Sequence, residues 1–167
     1  MKWKIILIPA FILFTQAVHS QDRSTGIGIR LGGLNSGLTI RQFVSSNTAF
    51  EGLLNFGYRS FVITCLYEKH FPIEGSEGLA WFIGGGAHLG FFRYGGTYYA
   101  YKRNGNIYYV DQVNNNHTVG GLDAILGLNY KIKNAPIDLS LDIKPFVDFF
   151  EFPTGYFDGG FSFRFIF

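Results

Sequence analysis

The sequence predicts an all-β protein, an eight-stranded antiparallel up-and-down transmembrane β-barrel preceded by a cleavable signal peptide. Apolar and polar residues alternate along much of the chain, with the period of two that places successive side chains on opposite faces of a sheet. Aromatic residues form 19% of the chain and there are 22 glycines, which suits a membrane interface and crowded, bent strands. After the N-terminus, no segment has the apolar length of a transmembrane helix, so a mature chain that spans a membrane must close its sheet into a barrel.

The N-terminus has the layout of a secretory signal peptide. Lys2 and Lys4 precede an apolar run from Ile5 to Val18. A permanent membrane anchor is the alternative, but this run is too short to cross a bilayer as a helix. We therefore predict a signal peptide over residues 1–20 and an outer-membrane barrel over residues 21–167.

Charge and cysteine content narrow the classes of function. The chain has fourteen basic residues, which fall to twelve without Lys2 and Lys4 and then equal the twelve acidic residues. A neutral mature chain argues against nucleic acid as a partner. Cys65 is the single cysteine, so a disulfide framework or a cysteine metal site is not expected. We predict no cofactor and no bound metal.

Strands one to four are predicted at about 26–32, 38–41, 49–58 and 60–70. Strand four is ambiguous, and we assign its aromatic positions to the outer face. The faces assigned to lipid carry Ile27, Ile29, Leu31, Leu38, Ile40, Phe50, Leu54, Phe56, Tyr58, Phe61, Ile63, Cys65 and Tyr67. The faces assigned to the interior carry Arg30, Thr39, Arg41, Glu51, Asn55, Val62, Thr64, Leu66 and Glu68.

Strands five to eight are predicted at about 79–91, 122–130, 137–144 and 155–167. Their lipid faces carry Trp81, Ile83, Ala87, Leu89, Leu122, Ala124, Leu126, Leu128, Tyr130, Ile137, Leu139, Leu141, Ile143, Phe157, Phe161, Phe163, Phe165 and Phe167. Their interior faces carry Gly84, Gly86, His88, Gly90, Asp123, Gly127, Asn129, Asp138, Ser140, Asp142, Lys144, Asp158, Ser162 and Arg164. The opposite orientation, with the phenylalanines in a protein core, is the alternative.

Two checks support a membrane barrel. Trp81 and Phe91 are ten residues apart, which at a rise of about 3.3 Å and a tilt of about 40° covers about 25 Å, the height of the apolar band of such barrels. With both termini in the periplasm, the connection after strand five is extracellular, where the longer loops belong. This connection, at about 92–118, is the longest in the chain.

Eight strands enclose an interior that side chains can just fill. The predicted interior charges are Arg30, Arg41, Lys144 and Arg164 against Glu51, Glu68, Asp123, Asp138 and Asp142, and His88 is expected beside them as a hydrogen-bonded residue. Buried ions need partners, so these groups should form a salt-bridged plug that closes the barrel. A proton relay or a catalytic role for the carboxylates is the alternative.

The long connection is the best candidate for a binding surface. Six tyrosines lie there among asparagines and basic residues: Tyr94, Tyr98, Tyr99, Tyr101, Tyr108 and Tyr109. Tyrosine with asparagine and glycine is typical of paratopes. The alternative interpretation is a plain β-hairpin, in which 97–101 and 106–110 extend the strands around a turn at 103–105. That hairpin does not exclude surface binding.

The chain resembles the small eight-stranded outer-membrane barrels of Gram-negative bacteria, of the size class of OmpX and the OmpA membrane domain. It is also similar to uncharacterised small barrels in which a Gly-Gly-Gly-Ala-His-Leu-Gly-Phe strand, here Gly84–Phe91, follows a Leu-Tyr-Glu-Lys-His strand end, here Leu66–His70. The terminal strand with Phe163, Phe165 and Phe167 resembles the membrane-insertion signal of such barrels. The resemblance implies an outer-membrane location and contact with lipid, lipopolysaccharide and the outer-membrane assembly machinery. Unlike for OmpA, we expect no soluble domain after the barrel, so the resemblance implies no peptidoglycan anchor.

We expect a non-enzymatic barrel with a structural or surface-interaction role, whose partner would bind through residues 92–118. One alternative is an enzyme that acylates or deacylates lipid A, which would need a serine, a histidine and a carboxylate together. The deacylase pattern His-x-Ser-Asn does not occur in the sequence, and none of His70, His88 and His117 has a suitable predicted position. We therefore predict no catalytic residues. A soluble periplasmic barrel that binds an apolar ligand is the third alternative.

Overall fold

The computed structural model describes residues 24–57, 60–93, 98–103, 106–111, 116–149 and 154–167. The predicted signal peptide therefore lies outside the described residues. The strands are β1 Thr25–Gly32, β2 Ser36–Ser45, β3 Thr48–Gly57, β4 Ser60–Pro72, β5 Leu79–Arg93, β6 Tyr98–Arg103, β7 Asn106–Asp111, β8 Asn116–Lys131, β9 Ile137–Asp148 and β10 Thr154–Ile166. Within these ranges, no helix has the length and hydropathy needed to cross a membrane.

Eight of the strands form a closed antiparallel barrel in the order β1-β10-β9-β8-β5-β4-β3-β2. The first and last strands close it, in register from Gly26 opposite Ile166 to Gly32 opposite Gly160. Thr25 and Phe167 extend this seam, because each amide N–H donates to the carbonyl oxygen of the other residue at 3.1 and 2.9 Å. The predicted fold class is confirmed.

The apolar face of the barrel wall points outward. Among the residues with described side chains, twenty-nine large hydrophobic ones are exposed, including Phe157, Phe161, Phe163 and Phe165 of β10 and Phe167 after it. Inside, arginines and carboxylates are buried beside a small apolar cluster of Leu53, Leu66, Phe82 and Ile125. This arrangement reverses that of a soluble protein, and an apolar outer belt is the surface that a barrel presents to hydrocarbon. The orientation predicted for the phenylalanines is right, and the alternative with the phenylalanines inside is wrong.

The structure extends several predicted strands. β8 begins at Asn116, six residues before its predicted start, and β9 continues to Asp148 through Pro145. The long connection contains β6 and β7, which pair with each other from Tyr98 opposite Asp111 to Arg103 opposite Asn106. The pairing expected in the alternative interpretation is therefore present, but β6 and β7 form a two-stranded sheet of their own and do not extend β5 and β8. Tyr94 and the turn at 104–105 lie outside the described residues, as do the side chains of the other five loop tyrosines and of His117.

Candidate functional site

The barrel interior is the candidate functional site. All ten residues predicted for the lumen lie there and are buried: Arg30, Arg41, Glu51, Glu68, His88, Asp123, Asp138, Asp142, Lys144 and Arg164. We call the end of the barrel with Thr25 and Phe167 the terminal end and the end with the pair Arg93 and Asn116 the loop end. Between these ends the charged groups form three clusters, each built across several strands.

The first cluster joins Arg41 of β2 and Arg164 of β10 through shared carboxylates. Arg41 donates from Nη2 to Glu51 at 2.6 Å, and its Nε lies 3.0 Å from a Glu68 oxygen. Arg164 also donates to Glu51, and donates to Asp138 at 2.9 Å. Glu51 thus bridges two guanidinium groups, as expected of a buried ion cluster that must satisfy all its members.

Neutral partners complete the first cluster. Arg41 donates to the Asn129 side-chain oxygen at 2.6 Å, and the Asn129 amide donates to Asp138 at 2.8 Å. The Arg41 guanidinium lies 4.8 Å from the centre of the Phe82 ring, a cation–π contact. His70 stacks on Phe82 with 5.0 Å between ring centres, and its Nε2 lies 3.2 Å from Glu68.

The second cluster is centred on Arg30 of β1. Its guanidinium donates to Asp142 at 2.6 Å and to Asp158 at 2.8 Å. Asp158 also accepts the Leu34 backbone N–H at 3.0 Å, which ties the β1–β2 turn to the interior. Arg30 has 1% of its surface exposed, so this group lies inside the wall rather than at the mouth.

The third cluster lies nearer the loop end, around His88 of β5. Its Nδ1 lies 2.7 Å from Asp123 and its Nε2 lies 2.9 Å from Asp148. Lys144 donates to the second oxygen of Asp123 at 2.5 Å. Both ring nitrogens of His88 therefore contact carboxylates, whereas a histidine that activates a serine keeps one nitrogen for the hydroxyl.

Small cavities remain at the two ends of this packed interior. One of about 40 Å³ lies beside His88, Asp148 and Asp158, and one of about 10 Å³ lies beside Arg41 and Lys131. The larger has room for ordered water, but ligand pockets are about 300–1,000 Å³. In the described part of the chain, no group of three or more histidine, cysteine or carboxylate side chains is arranged to hold a metal ion.

The predicted set of interior charges lacks three members of these clusters: His70, Asp148 and Asp158. The alternation with the phenylalanines of the last strand places Asp158 on the interior face, but the predicted set does not include it. His70 is the last residue of the predicted strand four, and in the structure it is 4% exposed and buried in the interior. Asp148 lies beyond the predicted end of its strand, which the structure extends by four residues.

The fold is similar to that of a solved bacterial β-barrel. The N-terminal β-barrel domain of Pseudomonas aeruginosa OprF matches over 87% of this chain and 96% of that chain, with a TM-score of 0.60 and 11% identity. The chain has the fold of this small outer-membrane β-barrel. Neisserial surface protein A aligns over 86% of this chain and 93% of that chain, with a TM-score of 0.46 and 10% identity. No family model and no curated protein matches this outer-membrane barrel in sequence. The closed sheet and its apolar outer belt place the barrel in the outer membrane.

Proposed function

We propose that this outer-membrane barrel works without catalysis, as a closed structural or surface-interaction protein. The salt-bridged interior is the observation that carries the proposal. Arg30, Arg41 and Arg164 each contact two or more carboxylates, and each is almost fully buried in the lumen. The paired arginines and carboxylates fix one another in position, and they fill the space that a pore or a substrate would need.

Recognition in this proposal belongs to residues 92–118. Tyrosine and asparagine side chains there would give rigid amphipathic contacts with adaptable hydrogen bonds. The β6–β7 hairpin supports the proposal because a paired ribbon presents such side chains at a lower entropic cost than an unpaired loop. The partner would be extracellular, and neither nucleic acid nor a cofactor is part of the proposal.

The other proposed partners follow from the location of the barrel in the outer membrane. Lipid and lipopolysaccharide would cover the outer belt, and Phe163, Phe165 and Phe167 would serve as the insertion signal read by the assembly machinery. Residues 1–20 would be removed on export. Replacing Phe167 with Ala should lower the amount of barrel in the outer membrane, whereas Phe50→Ala, on an internal strand, should not. Equal levels would contradict a special role for the terminal strand.

Deletion of residues 94–115 tests the recognition element. A short turn in their place leaves β5 and β8 intact, so the deleted barrel should still insert and show heat-modifiable migration. Cross-linking on intact cells followed by affinity purification should recover a surface partner with the natural chain and lose it with the deletion. The matched control is a barrel in which residues 94–115 are retained but their order is scrambled. Recovery of the partner with the deleted chain would overturn the proposal.

Mass spectrometry of lipid A tests the non-catalytic part of the proposal separately. Lipid A from cells with and without the protein should have the same acyl pattern. His88 is the histidine to follow, because it is buried between two carboxylates within the wall. A changed pattern that disappears in His88→Asn would establish the lipid-modifying enzyme instead.

A further inference from the structure

The wall between β8 and β9 is interrupted at Pro145. The strands pair from Gly121 opposite Asp148 to Asp123 opposite Phe146, and pairing resumes at Leu126 opposite Ile143. The two residue pairs between these points are missing from the ladder. Proline has no N–H to donate, so a strand with two neighbours loses a ladder bond where proline stands.

A cleft of about 440 Å³ opens in the outer face of the barrel at this interruption. The cleft is lined by three residues with compact side chains or none, Ala124, Pro145 and Gly155, and by the larger Leu122, Val147 and Phe157. Asp123 and Phe146, which belong to the inner face of the wall, also line it. The cleft therefore reaches into the wall, and its volume lies in the range of ligand-binding pockets, about 300–1,000 Å³.

The rim of the cleft is strongly apolar. Phe157 is 79% exposed, the highest value among the exposed large hydrophobic residues, and Leu122 is 56% exposed. Behind the rim, Phe146 stacks on Tyr156 with 5.5 Å between ring centres and lies beside His88 and Lys144. Asp123, a member of the charged third cluster, lines the cleft beside these rings. An occupant thus meets hydrocarbon on the sides of the cleft, and rings together with Asp123 at its inner end.

We propose that this cleft binds one acyl chain of lipopolysaccharide. The cleft opens within the apolar belt, where hydrocarbon chains are the molecules that reach the wall. It lies in the half of the belt nearer the loop end, which faces the outer leaflet when the long connection is extracellular, and lipopolysaccharide forms that leaflet. This inference does not depend on the recognition role of residues 92–118.

Close packing explains why an acyl chain would prefer the cleft to the rest of the barrel wall. An acyl chain leaves one apolar environment for another, so there is little hydrophobic gain, and the affinity must come from close van der Waals contact. A cleft contacts a chain on several sides, whereas the convex wall elsewhere contacts it on one. The site should therefore hold a single lipid that survives extraction in a mild detergent.

Filling the cleft tests the proposal. Ala124→Trp places a large side chain among its lining residues. Cys65→Trp is the matched control, because Cys65 is also small and outward-facing but lies on β4, with β5 between it and β8. Native mass spectrometry of the purified mature barrel should detect one retained lipopolysaccharide with the natural chain and the control. Retention should fall about tenfold with Ala124→Trp, a loss of about 1.4 kcal/mol in binding.

A second pair of variants covers the case in which Ala124→Trp does not fold, which heat-modifiable migration would reveal. Phe157→Ala removes the most exposed part of the rim, and Phe161→Ala removes an outward phenylalanine of the same strand that does not line the cleft. Retention should fall with the first and not with the second. Equal retention within either pair of folded variants overturns the proposal. A phospholipid retained in place of lipopolysaccharide overturns it as well.

Discussion

Arg164 connects more of the barrel interior than a single ion pair would. It donates to Glu51 and Asp138, and its other donors reach Ser140 at 2.8 Å and Thr39 at 3.0 Å. Its partners come from β2, β3 and β9, so one side chain of β10 links distant parts of the wall. The two carboxylates would lose a close cation if it were removed, and an uncompensated buried charge is costly.

Replacing Arg164 with Met should therefore destabilise the barrel by about 3–5 kcal/mol, the usual cost of removing one partner from a buried ion pair. The measurement is urea unfolding of the reconstituted barrel, followed by loss of heat-modifiable migration. Lys133→Met is the control, because Lys133 pairs with Glu77 in solvent, with 63% and 73% of the side chains exposed. An exposed pair contributes about 0–1 kcal/mol. Equal losses from the two variants would refute the central role of Arg164.

The Arg30 cluster allows a test of compensation. Arg30→Met alone should destabilise by about 3–5 kcal/mol, because Asp142 and Asp158 lose their shared cation. The triple variant Arg30→Met, Asp142→Leu, Asp158→Asn should recover most of this loss, since an apolar replacement of a buried ion group is often neutral. Asn at 158 keeps an acceptor for the Leu34 amide. A triple variant less stable than Arg30→Met, in the same urea assay, would contradict this account.

The sequence could predict which charges face inward, but not how they pair. Alternation along one strand fixes the side of each residue, and it placed Arg30, Arg41 and Arg164 correctly. Their partners depend on the register between strands that are far apart in the chain. Arg30 contacts carboxylates 112 and 128 residues away, and no local pattern encodes such a pairing. For the same reason the bridging position of Glu51 appears only in the structure.

At the scale of the strand, the glycines of β5 set how closely it approaches β4. A Cβ built on Gly86 would lie 1.9 Å from the carbonyl oxygen of Cys65, which is part of the neighbouring backbone. A Cβ built on Gly85, which faces outward, would have its nearest neighbour at 3.5 Å, an ordinary contact. The two glycines are adjacent in sequence, yet only Gly86 lacks the space for a side chain.

Gly86→Ala should therefore destabilise the barrel by at least about 2 kcal/mol, because the obstacle is backbone and cannot rotate away. Gly85→Ala should change the unfolding free energy by about 0.5 kcal/mol or less. Folded fractions after refolding into lipid vesicles, read from heat-modifiable migration along a urea series, give both values. Similar curves for the two variants would show that β4 and β5 shift apart at little cost.

Strand boundaries were the weaker part of the sequence prediction. The predicted seventh strand ends at Lys144, before Pro145, and a proline argues against a strand with neighbours on both sides. The barrel keeps the strand because β10 pairs with it over its whole length, from Thr154 opposite Asp148 to Phe165 opposite Ile137. The tertiary pairing overrides the local signal, and the missing bonds appear on the β8 side as the cleft described above.

At the scale of the whole molecule, closure and filling act together. The β1–β10 seam removes the free edges that would leave backbone groups unpaired in lipid. The interior is then packed across its width by Arg30, Arg41, Arg164, Phe82, Leu53 and Leu66, which have almost no exposed surface. Closure of the sheet and packing of the interior therefore stabilise the same eight strands.

A closed lumen predicts that reconstituted barrels do not admit small sugars. Liposomes that contain the mature chain should swell in isotonic arabinose no faster than protein-free liposomes, because the described cavities of about 40 and 10 Å³ are separated by the packed first and second clusters. Insertion is verified in the same sample by heat-modifiable migration, and liposomes with a general diffusion porin provide the positive control. Swelling of the barrel liposomes above the protein-free rate would mean that the salt-bridged side chains move apart in the membrane, and the closed lumen would then be wrong.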